Sequence, residues 1–312
     1  VLPPGLSMLW EPVEAQDALR DRFGFDDLVG VSEWLTAALR DGWAIAAGEV
    51  RRVVLSDQNA IAWVTTDRGE LVVKWSRAEA LFPVLEATTA VLGTLGAQGL
   101  PVAAPLPAVD GRVRVVRAGP LGRLSLTVLP ELTGEWLDVT DQAAVRDAGA
   151  CLARLHEALA DCSDDRLPRG ARTSASATGI RHWLADEGHR LPADVAQRLD
   201  ELLTDLPELE DRPQPVHQDY RAANLLVRDS RVVGVLDLDE VGVGHRVHDL
   251  AHACVYLATR FTDWGPTPAS AQQQLRAGYE SVRPLGGAER RWWDVLVLWQ
   301  GLRAFPSATP AT

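Results

Sequence analysis

The sequence predicts an α+β chain built in two lobes: a small N-terminal antiparallel sheet carrying one main helix, and a larger, mainly helical C-terminal part. Three observations lead to it. At 312 residues the chain exceeds what one hydrophobic core usually organises. Apolar runs of strand character, separated by polar turns, fill most of residues 51–132. After about residue 140 the apolar spacing becomes helical and mostly stays so. The boundaries follow as 8–130 for the N-terminal lobe and 131–312 for the C-terminal lobe. Met8 is the only methionine, so residues 1–7 read as a disordered or added remnant.

Taken in order, Ser32 caps a short helix in "EWLTAALRDG" that stops on Gly42. "RRVVLSDQNAIAWVTTDRGELVVKW" then reads as a three-stranded meander, with Lys74 near the end of its third strand. "FPVLEATTAVLGTLGAQGLPV" is a helix with Pro83 in its first turn and Gly96 and Gly99 as stops. Two strands follow, in "GRVRVVRAG" and "LSLTVLPEL". In "DQAAVRDAGACLARLHEALADC", Val145, Ala148, Leu152, Leu155 and Leu159 recur at helical spacing. Residues 163–178 are polar and rich in breakers, as expected of a mobile loop, and one or two helices follow. "VHQDYRAANLLVRDSRVVGVLDLDE" is strand-like, with "RDSR" as a hairpin turn. Three helices close the chain, the last with Trp292, Leu296 and Trp299 on one face, a stripe read as core packing.

Composition narrows the function. The formal charge of −12 argues against a nucleic-acid surface, which needs a basic stripe. Cys151, Cys162 and Cys254 are scattered and odd in number, read as reduced thiols of a cytoplasmic protein. No apolar run is read as a membrane span, and no charged-then-apolar leader opens the chain. Neither a nucleic acid nor a membrane is therefore expected as a partner. Oligomeric state has no signal.

The chemistry concentrates in "VHQDYRAANLLV". Asp219 is followed five residues later by Asn224, and thirteen further on by Asp237 at a strand end. Phosphoryl transfer to a hydroxyl needs a carboxylate beside the attacking group. It needs hard oxygen ligands for magnesium, and a lysine to steady the phosphates. Asp219, Asn224, Asp237 and Lys74 supply that set in the order kinases use. Period-two spacing puts Asp239 on the face of Asp237, as a second metal ligand or a loop anchor. His217 is expected to bond backbone near Asp237, and His156 to be a hydrogen-bonded core residue. His245, His248 and His252 are read as structural rather than as a metal site.

The segments "VHQDYRAANLLV" and "VVGVLDLDEVGVGHRVHDLA", with "LVVKW", "GLPVAAPLP" and "CLARLH", resemble the aminoglycoside phosphotransferase family. The resemblance covers most of the chain from about residue 45. It implies a protein-kinase-like bilobal fold and an ATP- (or GTP-) and Mg2+-dependent transfer to a small-molecule hydroxyl. Asp219 would be the catalytic aspartate, Asn224 and Asp237 the magnesium ligands, Lys74 the triphosphate contact and Asp249 the buried brace of the catalytic loop. The segment "TVLPELTG", with Leu129 and Glu131, would be the hinge that receives adenine. Glu86 is the candidate partner of Lys74. The turn "LSDQNAIAWV" lacks the glycines of a phosphate-covering loop, leaving Ser56, Gln58 and Asn59 to offer contacts. Gln218 stands where the family often has glycine, and its side chain is expected to point outward. Asp263 or Glu280 would receive amino groups of an aminoglycoside acceptor. The rival expectation is a catalytically weak relative that binds nucleotide or small ligand without transfer.

Overall fold

The structure, a computed structural model, describes residues 5–170, 175–261 and 264–305. The chain divides into two units at Leu132/Thr133.

The first unit holds a six-stranded sheet: β1 (Gly5–Met8), β2 (Ala47–Leu55), β3 (Asn59–Thr66), β4 (Gly69–Ser76), β5 (Val115–Gly119) and β6 (Gly122–Pro130). Its order is β1-β2-β3-β4-β6-β5, antiparallel throughout except for β1 beside β2. Residues 5–7 are thus part of a strand rather than disordered, and residues 1–4 lie outside the described residues. Strand β1 satisfies the open edge of β2, with Gly5 opposite Arg52. Helix α1 (Ala15–Phe23) had no counterpart in the sequence reading. Its few apolar anchors, Ala18, Leu19 and Phe23, are all buried, and Gly24 stops it at φ 77°. Helix α2 (Leu28–Trp43) starts before Ser32 because the Asp27 carboxylate caps it, accepting from the Gly30 N–H at 2.9 Å. The core collects Phe23, Phe25, Leu35, Trp43 and Trp75, with Phe23 and Trp34 both edge-on to Trp75.

Helix α3 (Phe82–Ala97) follows a short 3₁₀ turn, Glu79–Leu81. Together, Glu79–Ala97 are long and apolar enough to cross a bilayer by length and mean hydropathy (1.4), although Glu79 and Glu86 interrupt the apolar run. One third of that stretch is buried. A methyl on Gly96 would lie 2.5 Å from the Ala104 side chain, so α3 packs closely on the connection that follows it. Arg114, buried, reaches α3 by donating to the Thr89 hydroxyl at 3.1 Å.

The second unit begins with β7 (Glu135–Trp136) and α4 (Gln142–Leu159), the latter capped by Asp141. Helices α5 (Ala177–Glu187) and α6 (Ala193–Leu203) come next; part of the expected mobile loop, 171–174, lies outside the described residues. Then come β8 (Gln214–Val216), β9 (Leu225–Arg228), β10 (Arg231–Val235) and β11 (Gly242–Gly244). Helices α7 (Arg246–Tyr256), α8 (Ala269–Val282) and α9 (Gly287–Ala304) complete it. The strands form two small sheets, β10-β9-β7 and β11-β8. The "RDSR" hairpin turns through left-handed Asp229 and Ser230, the conformation that matches strand twist in two-residue turns. Helix α4 supplies Asp147, which accepts from the Val232 N–H at 2.8 Å and pairs with Arg231.

Helices α4 and α8 meet backbone to backbone. A Cβ on Gly149 would lie 1.9 Å from the Leu275 carbonyl oxygen, and one on Gly278 1.8 Å from that of Arg146. The apolar face of α4 is buried as its periodicity requires, and so are Trp292, Leu296 and Trp299 of α9. All three cysteines are free and buried.

Candidate active site

The site grows out of two hairpin-linked loops in the second unit. Strand β8 ends at Val216 and delivers His217, Gln218 and Asp219. The 3₁₀ turn Ala222–Asn224 then leads into β9. The β9–β10 hairpin returns the chain so that the Leu236 N–H donates to the Asn224 carbonyl at 2.8 Å. Asn224 and Asp237 are thereby neighbours in space, although thirteen residues separate them.

Asp219 is held on both oxygens. Arg221 Nε donates to Oδ1 at 2.8 Å, and Asn224 Nδ2 donates to Oδ2 at 2.7 Å and to the Asp219 carbonyl at 2.8 Å. Because the Asn224 NH2 faces Asp219, its amide oxygen is turned the other way, as a metal ligand must be. Arg221 was not singled out in the sequence reading. It is the one cation inside the loop, and its Nη1 is buried with no hydrogen-bond partner among the described residues. A buried orphan guanidinium nitrogen is expensive unless an anion meets it.

The loop rests on a buried hub. Asp249, on α7, accepts from the backbone N–H groups of His217 (3.2 Å) and Gln218 (2.7 Å) and from His156 Nε2 (2.9 Å). Burial pushes this carboxyl up, but the His156 hydrogen bond and neighbouring imidazoles outweigh it and hold it below the ordinary range. Burial likewise keeps His156 neutral, donating from Nε2 and accepting the Tyr279 hydroxyl on Nδ1 at 2.9 Å. His217 accepts from the Asp219 N–H on Nδ1 (3.2 Å) and donates from Nε2 to the Leu236 carbonyl (3.1 Å). It therefore links the two loops, in the place expected of it. The Tyr220 hydroxyl, buried, donates to the Ala148 carbonyl.

Two expectations change. Strand β10 ends at Val235, and Asp237 sits at φ 60°, a left-handed conformation that aspartate tolerates better than most residues. Asp239 lies in the 3₁₀ turn Leu238–Glu240, so the pleat does not put the two carboxylates on one face. Gln218 does not point outward: it is 3 % exposed, and its side chain donates to the Glu240 carbonyl at 2.8 Å.

The residues named in the first unit are placed by the sheet and α3. Lys74 stands opposite Ile61 on one side and Thr127 on the other. Glu86 is exposed on α3, with Arg112 as an electrostatic neighbour. Ser56 and Asn59 close their turn on each other: the Ser56 N–H and hydroxyl both donate to the Asn59 carbonyl, at 2.8 and 3.2 Å. Leu129 pairs with Val72. The Glu131 N–H is spent on the Glu70 carbonyl (3.0 Å), and its carboxylate pairs with Arg51.

The three α7-region histidines have separate partners. His245 bonds Asp211, His252 stacks on Tyr256, and His248 packs on Trp292 while accepting from the Ala175 N–H. Among the described residues there is no cluster of three His, Cys, Asp or Glu side chains that could hold a metal ion by themselves. Glu280 is paired with Arg276 at 2.6 Å, and Asp263 lies outside the described residues.

Burial, with His245 beside it, pushes the His248 imidazole down to about 4. The unfolded ring titrates near 6.5, so between these values the unfolded chain binds more protons. Stability is then expected to hold above about pH 6.5 and to fall toward pH 4, by up to about 3 kcal/mol. Thermal melting at pH 7.5 and 5 checks this, and His248→Phe should flatten the dependence. A midpoint unchanged over that range would refute the buried neutral imidazole.

Comparison with known proteins adds four findings. A family model described as "Phosphotransferase enzyme family" matches residues 51–285. The homoserine kinase of Gluconacetobacter diazotrophicus is 31% identical over 217 residues, 66% of this chain and 63% of that protein. The hydroxylysine kinase of Danio rerio is 25% identical over 288 residues, 84% of this chain and 79% of that one. The chain thus spans a little under two thirds of the length of the homoserine kinase it matches. Among solved structures, amicoumacin kinase in complex with AMP-PNP, Ca2+ and Ami has a TM-score of 0.58 at 15% identity, covering 95% of this chain and 90% of that one. The α+β, kinase-like fold is shared with it.

Proposed function

The chain belongs to the phosphotransferase enzyme family, and on that premise we propose that it is a magnesium- and ATP- (or GTP-) dependent kinase of a small hydroxyl-bearing amine. The observation that carries this reading is the Asp219 carboxylate, clasped by Arg221 and Asn224 beside the Asp237 loop.

In the proposed reaction the acceptor hydroxyl lies against Asp219, which orients it and takes its proton. The hydroxyl oxygen forms a bond to the γ-phosphorus as the bond to the β–γ bridging oxygen breaks, leaving the nucleoside diphosphate. Asn224 and Asp237 are the residues that would hold magnesium; a metal bound by one or two side chains completes its shell with phosphate and water, so no larger protein cluster is needed. When bound there, magnesium would supply charge neutralisation to the triphosphate. Arg221, with its orphan Nη1, is suited to meet negative charge on the transferred group. Lys74, with Glu86 as its candidate partner, would steady the phosphates, helped by Ser56 and Asn59. Adenine would meet the Leu129–Glu131 segment. The Glu131 N–H is already engaged by the Glu70 carbonyl, so it would not be the donor to the base.

The acceptor class is suggested by rings. The Leu257 carbonyl accepts the Ala222 N–H at 2.9 Å, setting the end of α7 against the catalytic 3₁₀ turn. Around that junction His252 stacks on Tyr256, Tyr256 meets Trp264, and Trp136 meets Phe261 edge-on. None of these rings is fully buried. Partly exposed aromatic faces suit an apolar skeleton or a single ammonium better than a polycation. The names of the homoserine and hydroxylysine kinases agree with an amino alcohol.

The test is nucleotide consumption with magnesium over homoserine, hydroxylysine, simple amino alcohols, aminoglycosides and sugars, with products weighed by mass spectrometry. One or more amino alcohols should gain a phosphoryl group. Magnesium-dependent nucleotide binding without any phosphorylated product would favour a non-transferring relative instead.

A further inference from the structure

Gln218 adopts φ 68°, a backbone conformation that costs a residue with a side chain and that glycine adopts freely. The side chain has a use that offsets the strain. Its amide crosses from the loop of Asp219 to the loop that follows Asp237 and donates to the Glu240 carbonyl at 2.8 Å. The backbone N–H of the same residue is anchored on Asp249 at 2.7 Å. Gly242 lies where the amide passes: a Cβ there would be 2.4 Å from Gln218 Nε2. A side chain at 218 and none at 242 therefore form one complementary pair. Strand pairing of Gly242 with Val216 holds the two loops at one end, and the Gln218 amide holds them closer to the carboxylates.

We propose that Gln218 is a positioning residue: its side chain latches the loop carrying Asp219 to the loop carrying Asp237, and so fixes how the magnesium ligands are presented. The inference rests on the kinase reading above. A polar bridge between two loops that must hold one metal–nucleotide complex cuts the reorganisation needed on binding.

The experiment is a magnesium titration of ADP binding by calorimetry, with melting curves, for the unsubstituted chain and for Gln218→Ala, Gln218→Gly and Gln218→Glu. All three variants lose the donor, so the half-saturating magnesium concentration should rise roughly three- to tenfold in each. Melting should separate them, because glycine relieves the positive φ: Gln218→Gly should melt at or above Gln218→Ala. A magnesium requirement that follows melting temperature, with Gln218→Gly near the unsubstituted protein, would make the residue merely structural and overturn the proposal. Unchanged magnesium dependence in all three variants would also overturn it, leaving the kinase reading intact. Absence of magnesium-dependent ADP binding in the unsubstituted chain would overturn both.

Discussion

Replacing Asp219 by alanine is expected to lower turnover by roughly 10²- to 10⁴-fold while magnesium-dependent nucleotide binding persists. The two effects separate because the carboxylate is the proposed proton acceptor, whereas Asn224, one of the two proposed metal ligands, loses Oδ2 but keeps its Nδ2 bond to the Asp219 carbonyl at 2.8 Å. The Leu236–Asn224 backbone bond and the His217 bridge that hold them together do not involve the Asp219 side chain. Arg221 would lose the partner that holds its Nε. Asp219→Asn is the sharper companion, since it keeps size and removes the charge. Initial rates with the best acceptor, alongside calorimetric binding of ADP with magnesium, decide the matter. Turnover unaffected by Asp219→Ala would show that the proton acceptor lies elsewhere.

Asp249→Ala should cost about 3–5 kcal/mol, because it leaves three buried donors unsatisfied at about 1–3 kcal/mol each. The carboxylate is fully buried and satisfies three donors from two directions. Its loss strands the N–H groups of His217 and Gln218 and the Nε2–H of His156 where water does not reach. The melting temperature should fall by roughly 10 °C. Activity should fall as well, because the backbone before Asp219 loses its anchor. Asp249→Asn would retain part of the bonding but must turn an NH2 toward one of those donors. Thermal denaturation and amide hydrogen exchange at residues 217 and 218 test the hub. A midpoint within 2 °C of the unsubstituted protein, with both amides still protected, would contradict it.

Much of the fold was legible because it is written in local rules. The meander, α3, α4 and the "RDSR" hairpin follow from periodicity, Pro and Gly placement and turn chemistry over a few residues. Helix α1 escaped because three buried anchors among charged residues leave little periodic signal. Strand β1 escaped because a parallel partner 47 residues away is not a local property. The order of Asp219, Asn224 and Asp237 with an intervening hairpin was readable, and the hairpin does bring their backbones together.

What the sequence by itself determined is therefore the set of chemical groups and their order: a carboxylate, an amide and a second carboxylate on two loops joined by a turn. Tertiary structure decided how those groups are held. The left-handed backbone at Asp237 ended the strand early and removed Asp239 from its face. Asp249 found His156, distant in the chain, to complete the hub, and Gln218 turned inward to Glu240. Periodicity reports only which side of its own element a residue faces. These contacts depend on which donors a fold leaves buried and unpaired, and that is settled only when distant segments meet.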